Sequence, residues 1–217
     1  MPSDQKDQAV TISRQGISLS GFLGIPPKAK GIVLFAHGSG SGRLSPRNRF
    51  VAHHLEQGRI ATLLIDLLTT AEEEDRHNVF DIDLLADRLL MASAWLRENA
   101  RTKDLSLGYF GASTGAGAAL QAAARATFPV SAIVSRGGRP DLAERYLPEV
   151  TAPTLLLVGG DDQPVIEMNQ DAYRLLRCCK QLTIIPGASH LFEEPGTLEQ
   201  VAEQALQWFA RHFVAPA

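Results

Sequence analysis

The stretch LSLGYFGASTGAGAAL, residues 105–120, changes from strand-like to helix-like character in its middle. Apolar residues dominate up to Phe110, and small residues follow Ser113. Between them, Gly111-Ala112-Ser113-Thr114-Gly115 matches the pattern G-x-S-x-G, in which a sharp strand-to-helix turn projects a strained serine from the top of a sheet. Small residues at a helix start also serve close packing alone, so the pentapeptide by itself leaves both interpretations open.

Strand-like and helix-like segments alternate along the rest of the chain. Residues 9–14 and 17–26 alternate in polarity around Gln15-Gly16, which predicts a hairpin. Segments that are apolar on both faces are typical of central parallel strands, and they cover 31–38, 60–68, 105–111, 130–135, 152–160 and 181–187. Segments with helical periodicity lie between them, at about 48–57, 79–99, 113–127, 165–178 and 197–212. The alternation predicts an α/β protein with a mostly parallel eight-stranded sheet and helices on both faces.

Two local features concern helix starts. The acidic run 72–75 is expected to form the solvated start of the long helix, where the helix dipole favours negative charge. Thr197 and Gln200 have the spacing of a capping box at the start of the final helix.

Length and composition restrict the class of protein. The 217 residues suit one domain, expected over 9–217 after a flexible tail at 1–8. The net charge of −3 gives no indication of nucleic acid or an anionic membrane as a partner. The polar N-terminus, the lack of a run of about 18 apolar residues and the low cysteine content predict a cytoplasmic protein without a membrane span. Cys178 and Cys179 are adjacent, which disfavours a disulfide, and the oligomeric state is left open.

Residues that directly follow the predicted strands are the candidates for function, because ligands of open α/β sheets bind at the carboxyl ends of the strands. They include a glycine-rich loop at 37–43 and, further along, Ser113, Asp161-Asp162 and His190. A serine hydroxyl needs a base to take its proton, and that base needs an acid to orient it. The order serine, acid, histidine therefore predicts a catalytic triad. The backbone amide of Thr114, at a helix N-terminus, is a candidate oxyanion donor.

The chain resembles the α/β-hydrolase superfamily in four motifs, FAHGSGSG (35–42), GYFGASTGAG (108–117), TLLLVGGDDQPV (154–165) and PGASHLFEEPG (186–196). It looks closest to the small, lidless dienelactone-hydrolase-like branch. The resemblance implies an α/β-hydrolase fold without a large lid, Asp162 as the triad acid, His190 as the base, and a second oxyanion donor at Ser39 or Gly40. Dienelactone hydrolase itself has a cysteine nucleophile where this chain has Ser113, so the resemblance supports serine acyl-transfer chemistry and leaves the dienelactone substrate open.

Four arginines follow strands at the same predicted edge. Arg43, Arg47 and Arg136 are predicted to bind substrate as a cationic rim for an anionic group, and Arg139 could do the same. The alternative is that these arginines pair with local carboxylates such as Asp141.

Other kinds of site are less consistent with the sequence. His37 is predicted to orient the glycine loop. A dinucleotide site is disfavoured because Arg43 stands where the third glycine of G-x-G-x-x-G belongs. The histidines at 53, 54 and 77 lack metal-ligand spacing, so neither a metal nor a cofactor is expected.

The sequence therefore predicts a serine hydrolase that cleaves a small carboxylic ester, thioester or lactone through an acyl-enzyme intermediate. Its expected partner is a small-molecule acyl substrate. Two alternatives share the fold: a catalytically silent binding protein, and a cofactor-free acyltransferase or haloperoxidase.

Overall fold

The computed structural model describes residues 7–213, and its centre is an eight-stranded sheet in the order β1-β2-β4-β3-β5-β6-β7-β8. β1 and β2 form an antiparallel hairpin, β2 pairs antiparallel with β4, and all other pairs are parallel. The predicted fold class is thereby confirmed. The strands are β1 Gln8–Arg14, β2 Ile17–Gly24, β3 Gly31–Ala36, β4 Ala61–Ile65, β5 Ser106–Ala112, β6 Ala132–Arg136, β7 Thr154–Gly159 and β8 Lys180–Ile185.

Seven α-helices and one 3₁₀ segment lie between and after the strands in residues 7–213. The 3₁₀ segment Pro140–Glu149 joins β6 to β7. The α-helices are α1 Pro46–Gln57, α2 Thr70–Glu73, α3 Arg76–Phe80, α4 Ile82–Glu98, α5 Thr114–Arg125, α6 Gln163–Leu175 and α7 Thr197–His212. The tail predicted at 1–8 falls mostly outside the described residues, and Gln8 already belongs to β1.

Two hydrophobic layers cover the sheet, one on each face. α4 and α5 pack on one face, against side chains such as Ile32 and Leu34 of β3. α1 and α7 pack on the other face, against Val33 and Phe35 of the same strand. Because successive side chains of a strand point to opposite faces, one apolar strand supplies both layers. This burial on both faces explains why the central strands have no polar alternation.

Two local expectations are wrong. The acidic run at 72–75 does not start the long helix: Glu72 belongs to the separate helix α2, where it completes a capping box with Thr69 and pairs with Arg88 of α4. The capping box expected at Thr197 is not formed either. Gly196 is the N-cap residue of α7, and the Thr197 hydroxyl donates instead to the carbonyl of Glu194.

The carboxyl ends of the parallel strands bring together residues that are far apart in sequence. β3 leads into the glycine loop, β5 into Ser113, β6 into Arg136 and β7 into Asp162. Within the described part of the chain, no helix combines the length and the apolar character needed to cross a membrane.

Candidate active site

Ser113 occupies the strained turn between β5 and α5. Its backbone angles, φ 50° and ψ −122°, lie in a region that non-glycine residues rarely occupy. The turn is possible only because its neighbours are small. A Cβ on Gly111 would collide with the backbone of Ala116, and one on Gly115 would collide with the carbonyl oxygens of Ala36 and His37. The hydroxyl is consequently held at the top of the sheet by a backbone that cannot relax.

His190 follows β8 and is hydrogen-bonded to the acid after β7. Its Nδ1 lies 2.6 Å from Oδ2 of Asp162, whose side chain is 14% exposed. The neighbouring Asp161 is exposed, and its backbone amide donates to the carbonyl of Ala188. The structure thus brings Asp162, and not Asp161, to the histidine. With Nδ1 engaged by the carboxylate, Nε2 is the ring nitrogen left to exchange a proton.

Ser113 and His190 both lie against the segment 136–139 that follows β6. The Ser113 amide donates to the carbonyl of Arg136 over 3.2 Å, and the Arg139 amide donates to the carbonyl of Ser113 over 3.0 Å. A Cβ on Gly137 would lie 3.1 Å from the carbonyl oxygen of His190 and 3.5 Å from its Nδ1. Among residues 7–213, the Ser113 hydroxyl makes no hydrogen bond.

The glycine loop after β3 is held by His37. The buried ring accepts a hydrogen bond at Nε2 from the Leu67 amide and donates from Nδ1 to the carbonyl of Gly38, each over 3.0 Å. Burial lowers the pKa of His37, which favours the neutral ring that these two bonds require. His37 therefore has the loop-orienting contacts expected from the sequence.

The three backbone amides considered as oxyanion donors differ in their partners. The Ser39 amide donates to Oγ1 of Thr114 over 3.0 Å, which ties the glycine loop to the start of α5. The Thr114 amide, at the first position of α5, has no intrahelical acceptor. The Gly40 amide has no acceptor within residues 7–213. Thr114 and Gly40 consequently present free N–H groups at this edge.

A cavity of about 280 Å³ lies beside these amides. The glycine loop and Thr114 form one side, and Leu68, Val79 and Leu85 form an apolar side. Glu73 of α2 also lines it, so the two short helices before α4 contribute a wall. The ion pair between Glu72 and Arg88 holds that wall to α4.

Glu194 is a residue of this region that the sequence did not reveal. Its Oε2 accepts a hydrogen bond from the Ser189 amide over 3.0 Å, and its backbone carbonyl accepts one from the Thr197 hydroxyl. The bond from the Ser189 amide is the main reason why the pKa of Glu194 is lowered. Glu194 thus closes the loop that carries His190, and only its place four residues after the histidine could have drawn attention to it.

The structure separates the four arginines that the sequence grouped together. Arg43 is bound by Asp66 through both its backbone amide and its guanidinium group. Arg47 pairs with Glu193 over 3.0 Å. Arg139 makes a two-bond contact with Asp141 at 2.9 and 2.8 Å. Arg136 is buried, and its side chain has no hydrogen-bond partner within residues 7–213.

The fold and the serine turn define an α/β-hydrolase-fold protein without a large lid. The chain is similar to the solved structure of dienelactone hydrolase from Anabaena variabilis, with 59% identity, coverage of 97% of this chain and 100% of that chain, and a TM-score of 0.94. It belongs to the dienelactone hydrolase family, as the sequence motifs predicted. A lidless α/β serine hydrolase from Xanthomonas campestris shares the fold at 20% identity, with coverage of 100% and 99% and a TM-score of 0.78. No family model matches the chain.

Two curated relatives come from two strains of Mycobacterium tuberculosis. Each is 56% identical over 211 residues and has a name that proposes phosphoribosyl transferase activity. The match covers 97% of this chain and 48% of each relative. The chain thus spans about half the length of the curated relatives it matches.

Proposed function

We propose that this protein is a serine hydrolase that cleaves a small carboxylic ester, thioester or lactone through an acyl-enzyme intermediate. The observation that carries the proposal is the strained Ser113 at the same sheet edge as the His190–Asp162 hydrogen bond. A serine on such a turn, with a carboxylate-oriented histidine nearby, is the arrangement that acyl transfer requires.

In the proposed reaction, Ser113 Oγ attacks the substrate carbonyl and transfers its proton to Nε2 of His190. Asp162 keeps the other proton on Nδ1 and stabilises the imidazolium that forms. His190 then donates the proton from Nε2 to the leaving group as the carbonyl–heteroatom bond breaks. Water attacks the acyl-serine with His190 as base, which releases the acid and regenerates Ser113.

The developing oxyanion needs donors that are free before the reaction begins. The amides of Thr114 and Gly40 meet that condition among the described residues, so we assign them this role. Ser39 donates to Thr114 Oγ1 instead, and in this proposal its amide fixes the distance between the glycine loop and α5. We place the alcohol part of the ester in the adjacent cavity, where Leu68, Val79 and Leu85 form an apolar side.

One observation favours a different function, a catalytically silent binding protein. Ser113 has no hydrogen bond to His190 in the described part of the chain. Catalytic hydrogen bonds, however, are often long before substrate binds, and the Asp162 contact is already short. We do not extend the phosphoribosyl transferase name of the relatives to this chain, because a serine nucleophile with a histidine base serves attack on a carbonyl group.

Labelling of purified protein with an uncharged fluorophosphonate tests the proposal, because only an activated serine reacts. We expect one adduct, located on Ser113 by mass spectrometry, and hydrolysis of short-chain 4-nitrophenyl esters. Ser113→Ala should abolish labelling and lower kcat by at least about 10³-fold with the fold retained. Ser13→Ala on β1, which changes an exposed serine far from the site, is the matched control. Unlabelled wild-type protein, or normal turnover by the Ser113→Ala variant, would rule out this mechanism.

A further inference from the structure

Arg136 differs from the other charged residues near the site because nothing in the described structure compensates its charge. The residue is 8% exposed, and its Nε and Nη1 are buried without a hydrogen-bond partner within residues 7–213. Nη2 is not enclosed in this way. Arg139, three residues later, directs its guanidinium group onto Asp141 with two hydrogen bonds. The same short segment therefore contains one satisfied and one unsatisfied guanidinium group.

An unpaired buried guanidinium group destabilises a folded protein, because the charge loses its hydration and gains no partner. Burial, with a smaller contribution from the positive charge of Arg47, lowers the pKa of Arg136 to about 10. The group consequently keeps its charge at neutral pH and cannot avoid the cost by losing its proton. An anion bound at Nη2, the nitrogen that is not enclosed, would compensate the charge.

The surroundings of Arg136 add further positive potential. Val134, two residues earlier on β6, packs in the layer of α1 and α7, so the alternation of the strand places Arg136 on that face. Arg47 lies there in the first turn of α1, which contains no acidic residue. A positive helix N-terminus normally disfavours a basic residue in this position. Glu193 is the carboxylate paired with Arg47, and it is largely exposed.

The same cluster lies next to the proposed reaction centre. The carbonyl of Arg136 accepts the hydrogen bond from the Ser113 amide. The following residue, Gly137, lies against His190, and Glu193 is three residues after that histidine. A group bound between Arg136 and Arg47 therefore belongs to a molecule whose other part can reach Ser113.

We propose that Arg136, with Arg47 and the N-terminus of α1, forms a subsite for an oxyanion on the substrate, and that this group is a phosphate monoester rather than a carboxylate. The inference rests on the proposed hydrolase function and names its substrate class. The choice of phosphate follows from the charges. Within residues 7–213, Arg136 pairs with no carboxylate, and Arg47 pairs only with the exposed carboxylate of Glu193. The N-terminus of α1 adds a partial positive charge. A dianion balances these positive charges better than a monoanion, and Arg136 can donate to it from Nη2, the nitrogen that is not enclosed.

Binding is tested first without turnover. Titration of the Ser113→Ala protein with inorganic phosphate and with acetate, by calorimetry and thermal unfolding, should show tighter binding of phosphate. Arg136→Met should remove this binding, and Arg136→Lys should weaken it. Arg139→Met loses the same charge at an arginine that already has a partner, so it is the matched control and should bind phosphate as the parent does. Without ligand, Arg136→Met should raise Tm by roughly 2–4 °C, because it removes an uncompensated charge.

Specificity is tested with three 4-nitrophenyl esters that differ at the far end of the acyl chain: 4-phosphonobutanoate, glutarate and the neutral monomethyl glutarate. For wild-type protein we expect kcat/KM for the phosphonate ester to exceed that of the neutral ester by about 10–100-fold, the range for a charge-assisted hydrogen bond. The ratio should fall to near one in Arg136→Met and stay within about twofold of wild type in Arg139→Met.

The outcomes separate this inference from the hydrolase proposal. Equal rates for the three esters, a preference for glutarate, or a preference that survives in Arg136→Met would overturn the phosphate subsite while fluorophosphonate labelling still supported the hydrolase. Loss of the preference in Arg139→Met would show that the preference comes from the overall charge of the protein. A lower Tm of Arg136→Met than of the parent would show that Arg136 stabilises the fold. If the fluorophosphonate does not label the wild type, the hydrolase proposal fails. Phosphate binding to the Ser113→Ala protein still shows whether the subsite exists.

Discussion

His37 and His190 both follow a strand at the same sheet edge, yet they differ in the hydrogen bonds of their ring nitrogens. His37 is 6% exposed, and backbone groups of Leu67 and Gly38 occupy both nitrogens. The His190 side chain is 39% exposed, and within residues 7–213 it forms a hydrogen bond only through Nδ1, toward Asp162. A histidine with both nitrogens bound to backbone is fixed in one protonation state, whereas one free nitrogen lets the other histidine accept and return a proton. The two histidines are therefore distinguished by how many of their ring nitrogens are hydrogen-bonded, and not by their position on the sheet.

The sharpest test of this comparison removes each ring in turn. His190→Ala should lower kcat by at least about 10⁴-fold with little change in Tm, because it deletes the proposed base from an exposed loop. His37→Gln should mainly lower the free energy of unfolding, by about 1–3 kcal/mol, because two buried backbone groups lose their partner. Ester kinetics and thermal unfolding of both variants provide the measurement. A well-folded but inactive His37→Gln together with an active His190→Ala would reverse the two roles.

A second test exchanges the group that orients His190. Asp162→Asn should lower kcat by about 10³–10⁴-fold, since an amide at this position favours the wrong tautomer of the histidine. Asp161→Asn makes the same chemical change one residue away, at an exposed side chain, whereas the hydrogen bond to His190 comes from Asp162, and it should stay within about twofold of wild type. Both variants need a circular dichroism spectrum as a check of folding. If the Asp161 variant is the inactive one, the acid has been assigned one residue too late.

The smallest expected effect concerns stability in acid. Burial lowers the pKa of His37 in the folded state from 6.5, so below about pH 6.5 the unfolded chain binds a proton that the folded chain does not. The free energy of unfolding should therefore fall as the pH drops, with a slope of up to about 1.4 kcal/mol per pH unit from this group.

Thermal unfolding between about pH 5 and 7.5 measures this slope. His37→Gln should flatten it, and His77→Gln, at a fully exposed ring, is the matched control. Equal slopes in wild type and His37→Gln would show that the buried ring is not the group responsible.

Much of the fold could be predicted because the central strands are apolar on both faces and the long helices have a clear period. The structure starts α1 at Pro46 and ends α4 at Glu98, within a few residues of the predicted limits. The short helices α2 and α3 were missed, since four or five residues are too few to show a period. The cap of α7 was misassigned because Thr197 had a competing acceptor, the carbonyl of Glu194.

The candidate site was predictable where its signal is local and unpredictable where it depends on distant partners. The serine turn is visible in five consecutive residues, because close approach of the backbone demands small neighbours. The arginines carry no such local signal. Asp66 lies 23 residues after its partner Arg43, and Glu193 lies 146 residues after Arg47. The sequence therefore grouped four arginines, of which the described part of the chain pairs three with carboxylates and leaves Arg136 unpaired.

The backbone conformation of Ser113 has a consequence for the evolution of this family. The angles φ 50° and ψ −122° cost any residue with a Cβ roughly 1–3 kcal/mol. This cost is the same whether the γ atom of the side chain is oxygen, as in serine, or sulfur, as in cysteine. The packing of Gly111 and Gly115 enforces the turn without reference to that atom. A serine nucleophile and a cysteine nucleophile therefore fit the same backbone. One substitution at this position can change the nucleophile while the surrounding backbone keeps its conformation.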